Sequence, residues 1–172
     1  MEPGAKRCGG PGCARAVFFM VLIMARMIGY MLTWTTYGTW LQGDKRGYIK
    51  DGEVLGEDRR LYEVNQGHLK GRTRRLDKRD KIVVRGAILS EAKRLGQEIL
   101  AISVCSNHVH VVANCIDEPL EVAVARYKKA GRVALRETGF EGRVWTRGYD
   151  KRFCFDEASL EERIRYVQGH DS

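Results

Sequence analysis

The chain has 172 residues and carries 30 Lys and Arg against 22 Asp and Glu, a formal charge of +8. That length suits one domain with a real core, with or without appendages, and the surplus of cations favours a polyanionic partner. The cysteines (Cys8, Cys13, Cys105, Cys115 and Cys154) are odd in number and include no C-x-x-C pair. This argues against a disulfide framework or a structural zinc site, and for a reducing cytoplasm.

Residues 1–29 read as an N-terminal extension. The run Ala16 to Ala25 is apolar and follows basic residues, but it is too short to span a bilayer. Three readings stand: a non-native or poorly ordered extension with the working chain starting near Met27 or Met31, an extra packed element, or a secretory signal. The first is the working expectation, so the domain is expected over 30–172, with no membrane partner.

The domain opens with a strand over Tyr30 to Tyr37, rich in β-branched and aromatic residues. Gly38 to Lys81 is irregular and studded with glycine, a length that is either functional or hides short elements. The basic stretch Lys70 to Lys81 is a solvated loop or a phosphate-contacting arm. A helix is predicted from Lys81 to Gly96, with Val84, Ile88, Ala92 and Leu95 on one stripe. Ile99 to Cys105 reads as a strand, Ser106-Asn107 as a turn and His108 to Asn114 as the returning strand.

Pro119 opens the next helix, whose stripe is Leu120, Val124, Tyr127, Gly131 and Ala134. A strand-like segment follows over Arg143 to Phe155. A last helix is predicted from a Ser159/Glu162 capping box, with Leu160, Ile164 and Val167 inward. The order β-α-β-β-α-β predicts an α+β protein with a ferredoxin-like antiparallel sheet and both crossover helices on one face. The C-terminal helix is an addition, and it carries Tyr166.

The chemistry-bearing residues lie on two of these elements. On a strand, His108 and His110 project from the same face and can grip one divalent cation. Two imidazoles hold a metal weakly, and His170 can be the third ligand if the last helix packs across the sheet. Tyr166 lies four residues before it, on the same helical face. A dication on a phosphodiester offsets the charge of its oxygens, and a metal or basic group can promote deprotonation of a nearby phenol. Phenolate attack gives a 5′-phosphotyrosine and releases a 3′-hydroxyl.

Between Arg126 and Arg152 nine Lys and Arg face three acids. Lys128, Lys129, Arg132, Arg147 and Arg152 are the candidate DNA-binding residues, Arg147 and Arg152 the better ones for phosphate. Trp145 and Tyr149 among them are stacking platforms or, for Trp145, simply core.

At these residues the sequence resembles a family. Ser106-Asn107-His108-Val109-His110-Val111-Val112 resembles the "pNHvHll" segment of single-tyrosine HUH transposases, especially the REP-associated tyrosine transposases. Arg165-Tyr166-Val167 resembles that family's nucleophile segment. Leu32 to Gly47 and Gly142 to Asp150 resemble its first strand and loop and its "G-x-x-W-x-x-g-y-x-d" strand. The resemblance implies metal-dependent cleavage and transfer of single-stranded or hairpin DNA in a nucleoid-associated, cytoplasmic enzyme. It makes His108 and His110 ligands of a divalent metal, Mg or Mn, and Tyr166 the nucleophile.

The family's third ligand, often Gln or Asn, falls at His170. Gly169 weakens the helix before it, and the sequence ends at Ser172 where many relatives continue. The alternative is therefore an inactive or domesticated DNA-hairpin-binding protein derived from a transposase. A histidine-triad nucleotide hydrolase would need a third same-face histidine where Val112 stands. Whether the protein is a monomer or a homodimer, and whether the tyrosine serves its own chain, is left open by the sequence.

Overall fold

The structure is a computed structural model that describes residues 27–50 and 53–171. The expected N-terminal extension lies outside the described residues except for its last three positions. In chain order the elements are β1 (Gly29–Thr35), β2 (Tyr48–Lys50), β3 (Glu53–Leu55), α1 (Arg59–Gly67), α2 (Lys78–Arg94), β4 (Ile99–Val104), β5 (His108–Asn114), α3 (Leu120–Glu137), β6 (Asp150–Cys154) and α4 (Glu157–Gln168). A 3₁₀ turn, Gly169–Asp171, ends them. No helix among the described residues is long and apolar enough to cross a membrane.

Four strands form one sheet in the order β4-β5-β1-β6, with every neighbouring pair antiparallel. This is the expected α+β arrangement, and alternation along each strand gives its two faces different tasks. On the first face Tyr30, Leu32 and Trp34 of β1, Val109, Val111 and Ala113 of β5, and Ile102 and Val104 of β4 meet Val84, Ile88 and Ala92 of α2 and Val124, Tyr127 and Leu135 of α3. On the second face Met31, Ala101 and Val112 meet Leu160, Ile164 and Val167 of α4.

Several boundaries differ from the sequence reading, each for a local reason. The stretch between β1 and α2 hides a two-stranded hairpin, β2 with β3, and the short helix α1. Helix α2 starts three residues early because Asp77 and Asp80 cap each other's backbone reciprocally. In α3 Leu135, not Ala134, is the buried end of the stripe. The expected long strand over 143–155 shrinks to β6 and a single bridge from Trp145 to Thr36. Val144 and Trp145 are adjacent yet both buried, which strict alternation forbids.

Trp145 is core. Its ring stands edge-on to Trp34 at 6.2 Å, and its Nε1 donates to the Lys128 carbonyl at 2.9 Å. The close approach needs Gly131, where a Cβ would lie 3.2 Å from the ring.

The N-cap of helix α4 is not Ser159, as the capping box predicts, and the helix already begins at Glu157. Asp156 is its N-cap, and its carboxylate accepts from the Ser159 backbone N–H at 2.8 Å. Replacing an aspartate N-cap by alanine costs about 1 kcal/mol. Asp156→Ala is therefore expected to lower the denaturant midpoint by that equivalent, whereas Glu162→Ala leaves it unchanged. Equal losses in the two variants would restore the Ser159/Glu162 box.

Candidate active site

Helix α4 covers only the apolar half of the second face. Beyond Met31 and Val112, β1 turns polar with Thr33 and Thr35, β5 carries His110 and His108, and β4 carries Ser103. Thr33 and Ser103 lie opposite His110 in the register, and Thr35 opposite His108. The end of α4 overhangs this polar half. Val167 is fully buried beneath the helix, Tyr166 projects beside the histidines, and the 3₁₀ turn carries His170 over them.

Three of the four histidines in the chain thus converge from two distant segments. The ring centroids of His108 and His110 are 4.6 Å apart, those of His110 and His170 5.1 Å, and those of His108 and His170 6.0 Å. Each ring offers a nitrogen within 4.8 Å of the other two. The Tyr166 ring lies 5.5 Å from that of His110 and 4.5 Å from that of His170, within one chain, and the residue is 48 % exposed. The tyrosine therefore reaches the histidines of its own protomer.

The hydrogen bonds around His108 and His170 set which nitrogen is offered, and the one at His110 allows the same choice. His108 Nδ1–H donates to Asn107 Oδ1 at 2.8 Å, and His170 Nδ1–H donates to the Tyr166 carbonyl at 3.0 Å. The Thr33 hydroxyl, 2.8 Å from His110 Nδ1, can accept in the same way. With each Nδ1 protonated, each Nε2 keeps its lone pair, the state in which histidine binds a metal. Burial lowers the pKa of His108, with His170 and Arg46 adding to the effect. Burial, then His108 and His170, brings His110 down to about 4. Both rings are neutral at physiological pH, so the group could hold a metal ion.

The basic candidates divide between the two sides of the sheet. Lys128, Lys129 and Arg132 lie on α3, which packs on the face opposite the histidines. The Lys128 ammonium donates to the carbonyls of Thr146, Arg147 and Gly148 at 3.2, 3.3 and 2.7 Å. Burial lowers its pKa to about 8. Its three donors are thus committed to holding the turn before β6. Lys129 is exposed and Arg132 half-buried.

Arg152 lies opposite Met31 and Asp150 opposite Thr33, so both sit on the histidine face, where Arg152 Nε donates to Asp150 Oδ2 at 3.0 Å. Exposed Arg147 follows Thr146, whose hydroxyl meets that of Thr35 at 2.9 Å. Of the basic stretch Lys70 to Lys81, Arg74 pairs with Asp80 and stacks over Phe140 at 4.2 Å, and is anchored in the fold.

Sequence reasoning missed the residues that orient the site. Thr33 and Asn107 each meet an Nδ1 atom. A signal for Thr33 was present: hydroxyls at alternate positions 33 and 35 break the apolar half of β1 where the histidines lie opposite. Arg46, on the glycine-rich connection, acts electrostatically on His108 but has no periodic pattern to betray it.

The His110 shift has a consequence for stability. In the unfolded chain this ring takes its proton near the ordinary value of about 6.5, and in the folded protein only near 4. Between those values the unfolded state binds the extra proton, so stability falls as pH drops from about 6.5 toward 4 and levels off below. Denaturant midpoints of the metal-free protein across that window test this, with the His110 ring followed by NMR. A His110 midpoint near 6.5 would contradict it. Thr33→Val should weaken Mn²⁺ binding at pH 7.5 by about tenfold, the usual effect of removing a partner behind a metal-binding histidine.

No family model and no curated protein matches the chain. Solved structures are similar to it, two of them as follows. One is a REP-associated tyrosine transposase bound to a REP hairpin, at 13% identity and a TM-score of 0.49, covering 83% of this chain and 65% of that one. This chain thus spans just under two thirds of that protein's length. The other is a candidate transposase from Deinococcus radiodurans R1, at 14% identity and a TM-score of 0.43, covering 100% of this chain and 99% of that one.

Proposed function

We propose that the protein is a transposase-like enzyme that cleaves and transfers single-stranded or hairpin DNA through Tyr166. The observation that carries this reading is the convergence of one half-exposed phenol with three imidazoles on the polar half of a sheet face. The surplus of cations, with Arg147 and Arg152 on or beside that face, suits a phosphodiester substrate. Lys129 and Arg132, across the sheet, take no part in it.

In this reading His108, His110 and His170 hold a dication through Nε2. An all-nitrogen set suits a transition-metal ion better than Mg²⁺, which prefers oxygen, so Mn²⁺ is the better of the two expected ions. When bound, the ion offsets the negative charge of the phosphate oxygens. The residues of the chain do the rest. Thr33 and Asn107 keep the imidazoles turned, and α4 aims the phenol.

The Tyr166 oxygen attacks phosphorus, the Oη–P bond forms and the P–O3′ bond breaks. The phenolic proton leaves to water and the departing O3′ takes one up, so no proton is consumed overall. The 5′-phosphotyrosine keeps the bond energy, and a second 3′-hydroxyl can reverse the step on another strand.

A nicked suicide oligonucleotide with a hairpin, incubated with Mn²⁺, is expected to give a covalent protein–DNA adduct. Tyr166→Phe should abolish the adduct, and His110→Ala should reduce it by at least about tenfold. An adduct that survives Tyr166→Phe contradicts the assignment. Hairpin binding with no adduct under any metal would leave the protein as a binder derived from a transposase.

A further inference from the structure

Of the chain's three tryptophans, Trp34 and Trp145 are core, and Trp40 is 42 % exposed. An exposed indole on a loop is ordinarily free to collapse onto the surface, yet this one is pinned. Its Nε1–H donates to the Gly47 carbonyl at 2.8 Å, and the Arg46 guanidinium carbon stands 5.0 Å from its ring centroid. Arg46 is itself clamped. Its Nε and Nη2 reach the two oxygens of Asp44 at 2.8 and 2.6 Å, and Nη2 also donates to the Thr39 carbonyl at 2.8 Å. Asp44 is buried, and the pairing with Arg46 holds its pKa down at about 2. Nη1 makes none of these bonds, and the Arg46 side chain is 43% exposed. The pair is a rigid aromatic face beside an oriented cation.

The loop is joined to the histidines. Thr36 N–H donates to the Asn107 carbonyl at 2.8 Å; the Thr36 hydroxyl lies 3.2 Å from it and the Thr39 hydroxyl 3.1 Å, each sharing its proton with a second carbonyl, Arg74 and Thr36 respectively. Asn107 in turn accepts from the His108 ring. Arg46 therefore stands two hydrogen-bonded residues, Thr39 and Asn107, away from a candidate metal ligand. A held aromatic face with a neighbouring guanidinium matches an unpaired nucleotide, whose base offers a π-face and whose phosphate offers two acceptors.

We infer that Trp40 and Arg46 form a ledge for single-stranded DNA beside the histidine site, Trp40 stacking on an unpaired base and Arg46 contacting the adjacent phosphate. The ledge rests on the phosphodiester reading of that site and adds the position of the strand. It makes Trp40 and Arg46 positioning residues for cleavage, and Asp44 the group that sets the plane of Arg46.

The test uses the full chain and hairpins whose single-stranded flank carries 2-aminopurine at successive positions. Binding is read by fluorescence, without any need for cleavage, and Mn²⁺ affinity is measured in parallel. The wild type is expected to quench the probe strongly at one flank position. Trp40→Ala should lose that quench and bind the flank about tenfold more weakly, as expected for one lost stack, with Mn²⁺ affinity unchanged. Trp40→Phe, which keeps a ring and loses the Gly47 bond, should retain most of both. Arg46→Gln, which removes the charge, should weaken binding and flatten its salt dependence.

Unchanged binding and quenching in Trp40→Ala overturns the ledge. So does a loss of Mn²⁺ affinity in that variant, which would make the loop a brace for the metal site. A wild type that quenches and binds but forms no adduct indicts the Tyr166 chemistry and leaves the ledge standing.

Discussion

The site depends on helix α4 covering half a sheet face and no more. Leu160, Ile164 and Val167 bury against Met31, Ala101 and Val112, and this apolar contact sets the helix at a fixed height and rotation. Tyr166 and His170 stand outside that apolar cluster, and their rings meet those of His108 and His110 instead. A helix with one more apolar turn would have closed the site, and one with fewer would have had no anchor. Burial of a few aliphatic groups thus positions a phenol and an imidazole that belong to a different chemistry.

The polar half of that face is built to keep imidazoles neutral and turned. Burial disfavours the protonated rings of His108 and His110, and neighbouring histidines add to it, His170 at both rings and His108 at His110. Partners at Nδ1 leave Nε2 as the nitrogen each ring can offer. The same helix supplies its own share, because the Tyr166 carbonyl holds the His170 ring. The candidate nucleophile and the third candidate ligand are therefore tied through one main-chain group. Displacement of one displaces the other.

Much of this was legible in the sequence because it rests on period. Alternation in β5 put His108, His110 and Val112 on one face and the β-branched core on the other, and the structure keeps that division. The i, i+4 relation of Tyr166 and His170 survives although the chain passes from α-helix to 3₁₀ turn between them. What failed depends on tertiary contacts. Arg143 to Phe155 reads as strand by composition, but Trp145 turns inward to fill the space that Gly131 leaves. Charge alone also does not reveal that three carbonyls of a turn far along the chain surround the Lys128 ammonium. The ledge of Trp40 and Arg46 has no period at all, being held by an ion pair and a carbonyl within a loop.

The central claim is that three imidazoles from β5 and the end of α4 share one cation through their Nε2 atoms, beside Tyr166. Anomalous diffraction from crystals soaked in Mn²⁺ tests it most directly. The account predicts one strong peak within bonding distance of the Nε2 atoms of His108, His110 and His170, with the Tyr166 side chain next to it in the same protomer. A peak elsewhere, ligation through Nδ1, or a tyrosine swung away from the ion would contradict it.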